Sequence, residues 1–141
     1  MFDTPCRHGG EMMSAETIQA LAEALQTEPQ LAAPLASGRP QLVRWRFGPR
    51  ALIDCPLGEP ALTLALGDFG VGHRSGEGQA QWAVRKGMIG FLPAGIGGTW
   101  CFDDPVDCLM LFLPPLWLRR AAAQHGLDAD KVRVRPRAAG G

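Results

Sequence analysis

Tyrosine is absent from the chain, and serine occurs only at positions 14, 37 and 75. None of the three lies in a Gly-x-Ser-x-Gly context, and neither a P-loop nor an HExxH pair is present, so the common nucleophilic, phosphate-cradling and zinc-peptidase signatures are excluded. Gly70-Val71-Gly72 followed by Ser75 fails the dinucleotide pattern. An excess of either charge is also missing, because fourteen Lys+Arg balance fourteen Asp+Glu. That balance removes the electrostatic footprint of a chain that grips nucleic acid or an anionic membrane by itself. Cys6, Cys55, Cys101 and Cys108 include no Cys-x-x-Cys pair, which excludes a zinc ribbon and a thioredoxin-type redox pair. Long apolar runs are lacking too. Glu11, Glu16, Glu23 and Glu28 break up the N-terminal region, and the longest uncharged stretch, ending at Phe102, is interrupted by Pro93 and several glycines. The expectation is a cytoplasmic protein with free thiols and no membrane partner.

What is present is core material: 46% apolar against 20% charged residues in 141 positions, enough for one domain. Glycine (18) and proline (12) together point to many tight turns between short elements rather than a long-helix bundle. Residues 1–13 have no periodicity and read as a flexible arm. The unit 14–28 is a helix, with Ser14 as N-cap, Glu16 in the first turn, and Ile18, Leu21, Ala22 and Leu25 on one face. Pro29 and Pro34 place a loop at 29–40. Between 41 and 113 the period becomes two. Val43, Trp45 and Phe47 share a face opposite Arg44 and Arg46; Leu62, Leu64 and Leu66 alternate with Ala61, Thr63 and Ala65. Gly76-Glu77-Gly78 is a hairpin turn leading to Trp82 and Val84. About eight short strands with no helix between them predict an antiparallel sandwich or barrel. Pro114-Pro115 then opens a helix with Trp117, Leu118, Ala121 and Ala122 as its apolar stripe, and Gly126 stops it.

The most specific local signal is Gly87-Met88-Ile89-Gly90-Phe91-Leu92-Pro93-Ala94-Gly95, a turn into a strand followed by a rigid turn out of it. It resembles the second conserved motif of the cupin barrel superfamily, and the implied fold is mainly β: an antiparallel cupin-like jelly-roll barrel with an N-terminal helix and one or more C-terminal helices. In metal-binding cupins a His follows that motif's Gly by three residues; here the position is Gly98, and the first motif's His-x-His and Glu have no counterpart. His73 stands alone, whereas a tight divalent site needs three or four converging ligands. No metal, other cofactor or catalytic residue is therefore expected.

The run from Leu42 to about Arg137 is similar to the N-terminal sensor domain of AraC-type transcription regulators. The similarity rests on Leu42-Val43-Arg44-Trp45, Gly87 through Gly95, Trp100, Pro105-Val106-Asp107, Leu109 through Pro115, and Gly126-Leu127-Asp128. It implies a barrel that holds a small-molecule effector, helices that dimerise, and DNA contact only through a separate domain outside this chain. Residues 114–141 would be the helix and the start of a linker. The alternative is a stand-alone cupin enzyme acting on a small metabolite.

A symmetric turn at Asp104-Pro105 would place Trp100, Phe102, Leu109 and Leu111 together in the barrel interior, and Cys101 opposite Cys108 as two free thiols. With Trp45 and Trp82 they make an aromatic-lined pocket with few polar anchors. Trp45, His73, Trp82 and Trp100 are the candidate ligand-binding residues, and Trp117, Leu118, Ala121 and Ala122 the candidate dimer surface. Lys131, Arg133, Arg135 and Arg137 alternate with Val132 and Val134 and are read as a solvated cationic tail.

Overall fold

In a computed structural model of the chain, residues 14–33 and 38–126 are described. The expectations for the N-terminal arm and the cationic tail fall outside them. Helix α1 (Ser14–Leu25) buries Ile18, Leu21 and Leu25, the stripe that the 3.6-residue period predicts. It ends three residues before position 28. Gln26 turns into the left-handed region (φ 52), its N–H bonds the Glu23 carbonyl, and the Thr27 N–H reaches back to the Ala22 carbonyl. This is the Schellman pattern, normally signalled by glycine and here built on glutamine.

Strand β1 (Gln30–Leu31) occupies part of the expected loop and pairs with β2 (Gln41–Phe47). β2 buries Val43 and Trp45, and Gly48-Pro49 turn the chain into β3 (Arg50–Ile53), which belongs to the other sheet. Then follow β4 (Ala61–Ala65), β5 (Phe69–Ser75), β6 (Gly78–Val84), β7 (Ile89–Leu92), β8 (Thr99–Phe102) and β9 (Val106–Phe112). β5 and β6 form the expected hairpin, with Ser75 opposite Gly78. The nine described strands make two antiparallel sheets, ordered β1-β2-β9-β4-β7 and β3-β8-β5-β6. Sandwiched face to face and followed by helix α2 (Pro115–Gln124), they form the expected mainly β, cupin-like jelly roll between two helices.

The expected symmetric turn at Asp104-Pro105 is overturned. β8 pairs with β3 and β5, whereas β9 pairs with β2 and β4 in the opposite sheet, so the two strands are not a hairpin. Trp100 and Phe102 do face the interior, but from β9 it is Val106, Cys108 and Met110 that join them, and not Leu109 or Leu111. Cys101 lies beside Ala51 and Gly72, far in topology from Cys108, which lies beside Trp45 and Ala65. Both thiols are free, whereas Cys55 is disulfide-bonded, which corrects the expectation of free thiols throughout.

In β4 the small residues turn inward. Ala61 and Ala65 are buried and Leu62 is exposed, because Ala61 packs directly across from Phe112. Small inward side chains on this strand leave space between the sheets.

Candidate functional site

That space is a cavity of about 600 Å³, within the range that encloses a drug-sized ligand. Leu21 and Leu25 of α1 wall one side, with Trp45 and Phe47 of β2, Thr63 and Ala65 of β4, and Cys108 and Met110 of β9. The four-stranded sheet supplies an aromatic wall. Phe102 meets Phe47 edge-on (5.3 Å, 83°) and lies 6.2 Å from Phe69, and Trp82 meets Trp100 edge-on (6.1 Å, 83°). Edge-to-face contacts of this kind lock ring orientation, so the wall is pre-shaped.

The two ends of the sandwich differ. Next to β3, helix α1 is tied to the sheet: the Arg50 guanidinium donates to the Ala24 carbonyl (2.8 Å) at the helix C-terminus, where a cation is favoured. At the other end β6 and β7 are the outer strands of their sheets. Cavity-lining residues there are partly open, with Trp82, Val84 and Met88 half-buried and Ile89 53% exposed, while Trp45, Val71 and Val106 are buried. Ile89 is the one exposed residue of the described lining, so the cavity wall is most open along the seam between β6 and β7. Its connecting turn is tied down by the Lys86 N–H on Asp68 Oδ1 (2.8 Å) and by the Gly87 N–H on the Ala65 carbonyl (2.8 Å).

Polar groups on the wall are few. Thr63 supplies the one hydroxyl among the described lining residues, and its oxygen would lie only 2.8 Å from a Cβ added at Gly90, so a side chain there would force the hydroxyl to move. Burial, helped by the nearby Asp107 carboxylate, pushes the Cys108 thiol up to about 12, which keeps it neutral. The Trp45 indole N–H is buried without an acceptor. Arg44 and Asp107 form a two-pronged ion pair (2.9 and 2.7 Å) outside the cavity, which raises the guanidinium's affinity for its proton and holds the Asp107 carboxyl below its usual range.

The position that carries a metal-binding His in related barrels is closed to any side chain. Gly98 has φ 93, and a Cβ there would stand 2.5 Å from the Arg74 carbonyl oxygen and 2.8 Å from His73 Nε2. His73 itself is occupied: its Nε2–H donates to the Gly97 carbonyl (2.8 Å) and its ring lies 4.3 Å from Trp100. Together with the Asp54 N–H on the Gly98 carbonyl (2.9 Å), it pins the turn that precedes β8. Among the described residues no group of three or more His, Cys, Asp or Glu side chains could hold a metal ion. A metal does not fit the described residues.

Of the four candidate ligand-binding residues, Trp45, Trp82 and Trp100 line the cavity and His73 does not; it stands behind Trp100 as a support. Sequence reasoning passed over Phe69, Cys108, Met110 and the helix residues Leu21 and Leu25. The β5 alternation pointed to Phe69, and the helical stripe to Leu21 and Leu25. On α2, Trp117 is 39% exposed, whereas Leu118, Ala121 and Ala122 are half-buried, so the expected stripe divides between two surfaces.

No protein-family model matches the sequence, and no curated protein matches it. Among solved structures, a cupin domain from Bordetella pertussis Tohama I is similar with a TM-score of 0.51 at 13% identity, over 62% of this chain and 92% of that one. A cupin superfamily protein from Desulfitobacterium hafniense DCB-2 gives 0.46 at 15% identity, over 61% and 77%. Oxalate decarboxylase of Bacillus subtilis gives 0.41 at 17% identity, over 67% of this chain and 30% of that one. At these identities the likeness concerns architecture: this chain folds as a cupin-like barrel.

Proposed function

We propose that the chain is the effector-sensing and dimerisation domain of an AraC-type transcription regulator, which binds a small molecule in a barrel that uses no metal. The observation that carries the sensing half is the roughly 600 Å³ cavity, walled by aromatic and aliphatic side chains. The regulator assignment rests on the order and spacing of the sequence segments from Leu42 to Asp128, in a run that extends to about Arg137. Leu116 and Trp117, exposed on α2, support a surface that a second copy covers. Catalysis has little support, since no described lining residue is a carboxylate, lysine, arginine or histidine that could move a proton at a bound substrate.

An effector would act by binding one conformation of the barrel more tightly than another, shifting the population by that differential affinity alone. A ligand that binds only the folded state raises its melting midpoint, and at about a hundred times Kd the stabilisation is about 2.7 kcal/mol. The test is a thermal-shift screen against small metabolites, with sedimentation of the same protein alone and with each hit. A saturable upward shift on a dimer is the expected outcome. A monomer at all concentrations would overturn the dimerisation half, and turnover of a metabolite dependent on one equivalent of Fe or Mn would replace the reading with a stand-alone cupin enzyme.

A further inference from the structure

We infer that the cavity takes an uncharged ligand made mostly of hydrocarbon or aromatic rings, admitted through the seam between β6 and β7. This rests on the reading of the barrel as a ligand-binding site and narrows it to one chemical class.

The charge inventory decides the class. None of the described cavity-lining residues carries a charge. Of the charged groups near them, Arg44 and Asp107 hold one another outside the barrel, Arg50 holds the end of α1, Arg46 is exposed, and the buried Glu59 is not among the described lining residues. The imidazole that could have served as an anchor is turned to the Gly97 carbonyl. A carboxylate, phosphate or ammonium in this space would surrender its hydration and meet no counter-ion, a loss that even paired buried ions only barely recover. An apolar molecule meets the opposite situation. Its own surface leaves water, and it fills space that otherwise forfeits van der Waals contacts with Trp82, Trp100 and Phe102. The Thr63 hydroxyl and the indole N–H groups can serve one or two oxygen atoms on such a ligand, but they cannot neutralise an ion.

Three isosteric probes separate the possibilities: 2-naphthol, 2-naphthoate and 2-naphthylmethylammonium, neutral, anionic and cationic at pH 7. Each is titrated into the full chain and followed by tryptophan fluorescence and by the melting midpoint. The expected result is saturable binding of 2-naphthol at one site per chain, at least about tenfold tighter than either ion, a ratio equivalent to roughly 1.4 kcal/mol. Equal or tighter binding of an ion would overturn the assignment of ligand class while leaving the barrel a binding site. No saturable binding of any of the three would overturn the cavity reading itself.

Discussion

Gly98 shows how a single residue decides what chemistry a barrel can host. Its identity is plain in the sequence, but the reason for it is not. The left-handed backbone (φ 93) and the close approach to the Arg74 carbonyl arise from the pairing of β5 with β8, a contact between segments far apart in the chain. Introducing an imidazole with Gly98→His should therefore fail to make a metal site. The positive φ alone costs about 1–3 kcal/mol for a residue with a Cβ, and the collision adds to it. The expected outcome is a melting midpoint several degrees lower, with no gain in Mn or Fe binding by equilibrium dialysis; a stable variant that binds metal would refute this account of the site. Cys108 offers a second residue-level check. Its folded thiol is raised to about 12 by burial, while in the unfolded chain it ionises near the ordinary value of 9.0. Its stabilising contribution is complete below pH 9 and falls as pH rises from about 9 towards 12, because there only the unfolded state loses the proton. Alkaline unfolding monitored by circular dichroism should show this slope in the parent, and Cys108→Val should flatten it.

At the scale of elements, the sequence was most legible where one strand or helix determines its own pattern. The period of two in β2 places Val43 and Trp45 inward, and the stripe on α1 places Ile18, Leu21 and Leu25 inward, as observed. It was least legible where two elements had to be related. Alternation alone does not say which face of β9 is interior, and assuming a hairpin with β8 put Leu109 and Leu111 there in place of Cys108 and Met110. The end of α1 was likewise hidden, because glutamine rather than glycine takes the left-handed position. Arg50 is the tie that makes α1 a cavity wall rather than an appendage. It links β3 to the Ala24 carbonyl at 2.8 Å and reaches Gln26 Oε1 at 3.5 Å. Arg50→Ala should cost about 1.5–3 kcal/mol, the usual worth of a hydrogen bond to a charged group. It should also speed backbone amide exchange in α1, where Leu21 and Leu25 meet the cavity. Unchanged exchange in α1 would show that its apolar stripe alone holds the helix in place.

The whole molecule is a sandwich whose two ends are treated differently, and that asymmetry has a measurable consequence. On one side the Arg50 tie fastens α1 to the outer strand β3; on the other, β6 and β7 are outer strands and Ile89 of β7 is the most exposed of the described lining residues. Outer strands expose backbone groups and open at lower free energy than strands paired on both sides. β2, β9 and β4 lie inside the five-stranded sheet, and β8 and β5 inside the four-stranded one, so they should exchange slowest. In hydrogen exchange, β6 and β7, together with the two-residue edge strand β1, should be the fastest strands of the unliganded barrel. A ligand seated between the sheets touches Trp82 and Val84 on one side of the seam and residues of β7 on the other. Its binding should therefore slow exchange of these two strands more than of β2 or β9. Protection concentrated instead at α1 and β3 would mean that the entrance lies under the helix, with the Arg50 contact as its latch.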